Sequence, residues 1–502
     1  MKNEILVIGA GGAGLVSALY AHEAGAKVKI ITKEYPTRSQ TCMAQGGINA
    51  VLEHSTSDSV EEHIKNTLKS AHGLADEEMV RVLCEEAPEA IRWLDSIGVP
   101  FSRTEDGNIA QRKLGGASGS RACYAQDYTG LKILHTLYDR VLASDIEILS
   151  ERYLLEILKS ESGVGGVSVL NIRSGEIEQY PSSSVILATG GYSRVYGSHS
   201  TNSKSTSGDG IAVAKRAGVK LLDMEFIQFH PTALKNSAIL ISESARGEGG
   251  YLVNSKGERF TNELASRDEV ARAINEQIVS GEEVFLDIRH LGEKFIDEEL
   301  PQERKLAKLY ENIDPVKELV PIKPVAHYTM GGIAVDKDSM TNILGLFAVG
   351  ECANQRVHGA NRLGGNSLLE LIVFGKRAGK NAVKFSTEIE SNELRENYNL
   401  QKIISYKNSL NFYEFRDRLA EIFYTKVGII RDEKSLKTAL SEVEEIKAKL
   451  PIMGISDKSK VYNTNFIEFL EFINILDLAE VIIKSAINRK ESCGAHFMEV
   501  LG

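Results

Sequence analysis

Four short strings place cationic, imidazole and hydroxyl side chains among glycines. They are Phe229-His230-Pro231-Thr232, the run Ser242-Glu243-Ser244-Ala245-Arg246-Gly247-Glu248 with Arg267-Asp268 soon after, Ala326-His327-Tyr328-Thr329, and His358-Gly359-Ala360-Asn361-Arg362 leading to Ser367. Taken singly, each has a structural explanation: a buried imidazole satisfied by a carbonyl, or an arginine paired with a neighbouring acid. Together Arg246, Arg267, Arg362, His230, His327 and Ser242 supply more positive charge and more donors than a neutral ligand uses. Guanidinium forks take a carboxylate bidentately, and imidazole N–H groups with a hydroxyl complete a second carboxylate site. The set suits a small dicarboxylate anchored at both ends. If the middle of such a ligand is a carbon–carbon double bond facing a flavin, anchoring turns a bimolecular hydride transfer into an effectively intramolecular one.

Elements able to position these groups are legible around them. Glu4-Ile5-Leu6-Val7-Ile8 is a continuous apolar run, as expected of a parallel strand buried on both faces. It runs into Gly9-Ala10-Gly11-Gly12-Ala13-Gly14, a GxGxxG string, after which Leu15 to Ala24 reads as a helix, Gly25 as its stop and Lys27 to Ile31 as a second strand. In such a βαβ unit the glycines turn the chain, admit a pyrophosphate and allow close helix–strand packing. The bland alternative is a glycine-rich turn without a ligand. The second strand ends Thr32-Lys33-Glu34, so the acid expected near an adenosine ribose is either displaced to Glu34 or missing, which argues against ordinary NAD binding. Ser184 to Gly191 and Leu344 to Glu351 read as further buried strands of one interrupted sheet. The expected fold class is α/β: a Rossmann-like domain over 1–223 and 327–390, an inserted α+β capping domain over 224–326, and a C-terminal helical domain over 391–502. In that last part Leu436, Leu440, Val443 and Leu450 are expected on one helix face, and Asn465 is expected to cap a helix from Phe466 to Ile487.

Composition removes several classes of function. With 59 basic and 69 acidic side chains the net charge is −10, without long runs of one sign, so nucleic acid is not an expected partner. No apolar stretch approaches a membrane span, and a strand pattern beginning at Glu4 leaves no room for a signal peptide; a cytoplasmic location is expected. The five cysteines form no CxxC or CxxCH, which argues against a structural zinc site, a ferredoxin-type cluster or a c-type haem in this chain, and no metal ligand is expected.

The strings named above, together with Tyr35-Pro36-Thr37-Arg38-Ser39, Ala44-Gln45-Gly46-Gly47, Pro100-Phe101-Ser102-Arg103-Thr104 and Arg121-Ala122-Cys123-Tyr124-Ala125-Gln126-Asp127-Tyr128-Thr129-Gly130, resemble the flavoprotein subunit of the succinate dehydrogenase and fumarate reductase family, nearly end to end. The resemblance implies an FAD-binding domain carrying Gly9, Gly11, Gly14, Lys33, Ser39, Thr41, Gly46, Gly47, Ala188, Gly190, Asp209, Glu351, Ser367 and Leu368 at the cofactor. It implies that His230 and Ser242 hold one carboxylate of fumarate or succinate, that His327 and Arg362 hold the other, and that Gln45 and Phe101 line the pocket. Arg267 would exchange the proton, with Glu243 and Arg246 relaying its replacement. An iron–sulfur protein is the implied electron partner, and contact with the inner membrane would be peripheral, through partner subunits.

Two departures shape the expectation. Gln40 stands where quinone-linked relatives carry the histidine that binds FAD covalently, and a carboxamide nitrogen, its lone pair delocalised, forms no such bond; FAD is expected to be noncovalent. That loss tilts the chain toward fumarate reduction, whereas Gln45 tilts it toward succinate oxidation. Cys493 stands where the family has arginine, with a short tail after it, and reads as a small helix-terminal residue rather than a redox thiol. L-Aspartate oxidase and a non-catalytic flavin electron-transfer subunit are the competing readings.

Overall fold

A computed structural model of the chain describes residues 4–55, 57–385 and 400–499. The first apolar run forms β1 (Glu4–Ile8), followed by α1 (Gly12–Glu23) and β2 (Lys27–Thr32); β3 (Glu147–Ser150) and β4 (Val185–Leu187) come later. An antiparallel sheet then holds β5 (Ile227–Leu234), β6 (Tyr251–Asn254), β7 (Val284–Asp287) and β8 (Val320–Thr329) in the order β5-β8-β7-β6, before β9 (Leu346–Ala348) rejoins the first sheet. That first sheet is parallel throughout, with the order β9-β4-β1-β2-β3. The chain leaves β1 in one direction for β2 and β3 and returns on its other side as β4. The crevice beyond the carboxyl ends of β1 and β4 is therefore the switch point where ligands bind open α/β sheets. The fold is α/β and Rossmann-like, as its sequence pattern predicts. β4 and β9 are shorter than expected, because the glycines following each run turn the chain away from the sheet.

The boundary drawn at 326–327 runs through β8, so the strand that closes the antiparallel sheet also carries His327. The boundary at 390–391 lies outside the described residues. Within that sheet's unit, the short helix α2 (Glu243–Gly247), α3 (Arg267–Val279) and α4 (Pro301–Glu311) surround a separate apolar core containing Ile241, Leu252, Ile274 and Leu286. Helix α5 (Asn366–Ala382) returns across α1, and two of its glycines make the approach close. A Cβ on Gly379 would stand 2.4 Å from the Ser17 carbonyl oxygen, and one on Gly375 would stand 3.0 Å from a Val16 methyl.

The C-terminal part contains α6 (Phe412–Lys426), α7 (Glu433–Ala448) and α8 (Thr464–Asn488). Leu436 and Val443 are buried as expected; Ala439 and Ile446 complete that face, and Leu450 lies beyond the helix in a separate turn. The N-cap of α8 is Asn463, whose side chain accepts the Phe466 N–H at 2.8 Å. Asn465, expected in that role, uses its carbonyl instead to accept the Ser456 N–H at 3.0 Å, which ties down the preceding loop. Among the described residues, no helix is long and apolar enough to cross a membrane.

Candidate active site

A cavity opens at the β1/β4 switch point and continues to the antiparallel sheet, lined from Gly9 at one end to Arg267, His327 and Arg362 at the other. Its glycine wall is fixed by steric fit. A Cβ on Gly9 would fall 2.2 Å from the Ala188 carbonyl oxygen, and one on Gly14 would fall 2.1 Å from the Gly9 carbonyl oxygen. Gly14 thus packs α1 against β1 without itself lining the cavity, whereas Gly11 meets only side-chain atoms at ordinary contact distance and leaves the space before the helix clear. The buried hydroxyl Ser39 Oγ, beside this space, has no hydrogen-bond partner among the described residues. A glycine cradle, a helix N-terminus and hydroxyls along the wall suit the pyrophosphate and polyol chain of FAD.

Most of the expected cofactor residues line the cavity: Lys33, Ser39, Thr41, Gly46, Gly47, Ala188, Gly190, Asp209, Glu351, Ser367 and Leu368. Lys33 does more than face it. Its ammonium contacts Asp209 at 2.7 Å, Glu471 on α8 and the Ser205 carbonyl, so it joins the cavity to the C-terminal helices. Glu351 accepts the Thr329 N–H at 2.9 Å, and its burial pushes the carboxyl up to about 7. Gln40 accepts the Ser203 N–H through Oε1 at 2.8 Å.

At the far end, strand pairing decides which groups meet. Gln228 pairs with Tyr328 but Phe229 pairs with Ala326, which leaves His327 as the extra residue of a β-bulge. Bulges re-aim side chains, and here the His327 ring comes to 4.9 Å from that of His230, centroid to centroid. Burial, with Arg267 next in order, holds both imidazoles well below their ordinary range, so each is neutral and keeps one N–H. His230 Nδ1 lies 3.1 Å from the Thr232 carbonyl oxygen and 3.2 Å from the Thr232 nitrogen, and His327 Nδ1 lies 2.7 Å from the Thr201 hydroxyl.

Arg267 opens α3 and donates to Glu243 Oε2 through Nη2 at 2.6 Å and Nε at 3.2 Å. Burial alone would raise Glu243, but Arg267 and Arg246 overcome it and keep the carboxyl below its ordinary range. Gly115 and Gly364 make room for this carboxylate, since a Cβ on either would stand 2.4 Å from one of its oxygens. Arg362 stacks over Tyr328 at 4.4 Å; burial and then the Arg267 charge lower it to about 10.

Besides Gly14, two expected residues do not line the cavity. Phe101 is buried in the apolar core around α5, and Arg246 lies behind Glu243, its Nη2 3.6 Å from Oε1. Sequence reasoning missed Gln228. Its Oε1 accepts from Arg267 at 3.0 Å and from Arg362 at 3.2 Å, and its Nε2 donates to Asn361 Oδ1 at 2.8 Å, so one carboxamide holds two like-charged guanidinium groups together. The available signal was a lone amide two residues before His230, on the same face of a strand that is otherwise largely apolar.

Comparison with known proteins is consistent with this geometry. The family model described as FAD binding domain matches residues 4–368, and the one described as Fumarate reductase flavoprotein C-term matches 416–500. The fumarate reductase flavoprotein subunit of Haemophilus influenzae is 38% identical over 98% of this chain and 88% of its own length. The chain belongs to the fumarate reductase and succinate dehydrogenase flavoprotein subunit family. It is accordingly an FAD-dependent oxidoreductase. The succinate dehydrogenase flavoprotein subunit of Rickettsia conorii is also 38% identical, over 99% of this chain and 90% of its own. A solved structure of quinol-fumarate reductase with menaquinol molecules aligns with a TM-score of 0.94 at 36% identity, over 100% of this chain and 93% of that one. Members named for either direction of the reaction are thus similarly close.

Proposed function

We infer that the chain is the catalytic flavoprotein subunit interconverting fumarate and succinate, with fumarate reduction somewhat favoured. The observation that carries this reading is the convergence of Arg267, Arg362, His230, His327 and Ser242 at one end of a cavity whose other end is the glycine cradle. FAD bound noncovalently along that cavity would supply two electrons as a hydride.

The residues of the chain do the rest. His230 and Ser242 hold one carboxylate, and His327 and Arg362 hold the other, with neutral imidazoles donating N–H rather than adding charge. Gln45 lines the wall beside them; Phe101 supports from the core. Arg267 gives its proton to the carbon next to the one reduced, and Glu243, already bonded to two of its nitrogens, returns one with Arg246 behind it. Because Arg246 is itself fully buried, the relay must pass through a further group to reach water. Gln228 keeps Arg267 and Arg362 aimed at the same point.

Continuous turnover needs an electron source outside this chain, and an iron–sulfur protein is the partner proposed, with any membrane contact made through it. The test is anaerobic: the purified chain is reduced with dithionite and offered fumarate, succinate or aspartate separately. Flavin reoxidised by fumarate is expected, and Arg267→Ala is expected to retain flavin but lose that reoxidation. Wild-type flavin left reduced by fumarate would turn the assignment to an electron conduit, aspartate-dependent peroxide to an aspartate oxidase, and near-normal activity in the variant would remove Arg267 from the mechanism.

A further inference from the structure

The start of α4 is held by a carboxylate from far away in the chain. Leu300, at its own N-cap position, makes no side-chain cap bond. Instead Asp127 Oδ2 accepts the N–H groups of Gln302 at 2.7 Å and Glu303 at 3.3 Å, and beside it Gln126 Nε2 donates to the Glu298 carbonyl at 3.1 Å. From the same first turn, Glu303 reaches to the substrate end of the cavity, where its Oε1 accepts the Ser242 N–H at 3.1 Å. Asp127 and Glu303 are both buried, and Asp127 Oδ1 and Glu303 Oε2 have no hydrogen-bond partner among the described residues. The Arg112 charge opposes both acids; its Nε donates to the Gly46 carbonyl at 3.0 Å, and its Nη2 donates to the Gln45 carbonyl at 3.3 Å and to the carbonyl of Gln126, next to Asp127. One buried cluster therefore touches Gln45 and Gly46 on one wall of the cavity and Ser242 on the other.

We propose that Glu303 is a positioning residue for the reaction: it fixes the Ser242 backbone, and through it the Ser242 hydroxyl, relative to Gln45 and Gly46 across the cavity. This rests on the reading that Ser242 meets a substrate carboxylate. Burial first, then the Asp127 charge, push the Glu303 carboxyl well above the carboxylate range, which favours the protonated acid, and Oε1 is the oxygen that accepts. An amide offers the same acceptor. A leucine fills the space and offers none, which leaves the buried Ser242 N–H unpaired.

The experiment uses the full-length, FAD-loaded protein with Glu303→Gln and Glu303→Leu. Glu303→Leu is expected to raise the KM for fumarate about tenfold, the effect of one lost buried hydrogen bond, with kcat and flavin content little changed. Glu303→Gln is expected to behave as wild type. Without any substrate, amide hydrogen exchange in a peptide spanning 240–247 is expected to quicken in Glu303→Leu and not in Glu303→Gln. Unchanged exchange and KM in Glu303→Leu, or equal damage in both variants, would overturn the proposal. If wild type turns over no dicarboxylate while the exchange contrast persists, the functional reading fails and the structural tie stands.

Discussion

Gln40 and Gln228 show how much one carboxamide decides. Gln40 presents to the cavity a carboxamide whose oxygen is engaged by the Ser203 N–H and whose nitrogen lone pair is delocalised, a poor nucleophile toward a flavin carbon, which supports the proposal of noncovalent FAD. Acid precipitation of the holoprotein is expected to release yellow flavin into the supernatant; flavin retained in the pellet would contradict this. Gln228 works by sharing one oxygen between two guanidinium groups that would otherwise repel each other. Its effect is geometric, and the charge it manages shows in Arg362, which is lowered to about 10. Cys493 is not helix-terminal as expected, since α8 ends at Asn488; its thiol lies 3.6 Å from the His72 carbonyl, and burial raises it away from the reactive thiolate.

Among the elements, the bulge in β8 and the cap of α8 matter most. The bulge shifts the register by one residue, and that shift is what brings His327 beside His230 instead of directing it to the opposite face. The cap fixes the entry of the longest described helix, whose residues Glu471 and Asn474 hold Lys33 and Asp209 at the cofactor end of the cavity. Asn463→Ala is expected to cost about 1 kcal/mol, the usual loss of a side-chain N-cap, read as a lower urea midpoint. Asn465→Ala, which loses a loop contact only, is expected to cost less. A larger effect at Asn465 would reverse the assignment of the cap.

Across the whole molecule, buried titrating groups of opposite tendency accumulate. His63 and His496 are lowered to about 4, each chiefly by burial, and burial likewise holds the active-site pair His230 and His327 well below the ordinary histidine value. Below about pH 6.5 the unfolded chain protonates these rings and the folded chain does not, so each makes stability fall as pH falls. Asp127 is raised to about 6, Glu351 and Glu471 to about 7, each first by burial, and Glu303 is raised as well. These carboxyls take up protons in the folded state first, so each makes stability rise as pH falls. The two sets offset one another, and wild-type stability is expected to change little between about pH 6.5 and about pH 4.5. Single substitutions expose the hidden slope. His63→Gln keeps a donor for Asn366 Oδ1 and removes one titration, so relative to wild type it is expected to gain up to ~1.4 kcal/mol per pH unit on acidification through that window. Parallel stability curves for the two proteins would show that His63 does not titrate as described.

The amino-acid sequence by itself determined the parallel sheet, the glycine turn and the identity of nearly every group at the site, because these are written locally: an apolar run, a spacing of glycines, a string of donors. Tertiary structure alone decided the rest. Phe101 went to the core and Arg246 behind Glu243 because packing, not residue type, chooses which side of a wall a side chain occupies. The cap of α8 moved two residues because Asn465 found a loop to hold. Gln228 and Glu303 became parts of the site through partners far away in the chain, Arg362 and Ser242, and no periodicity in either segment encodes a contact of that range.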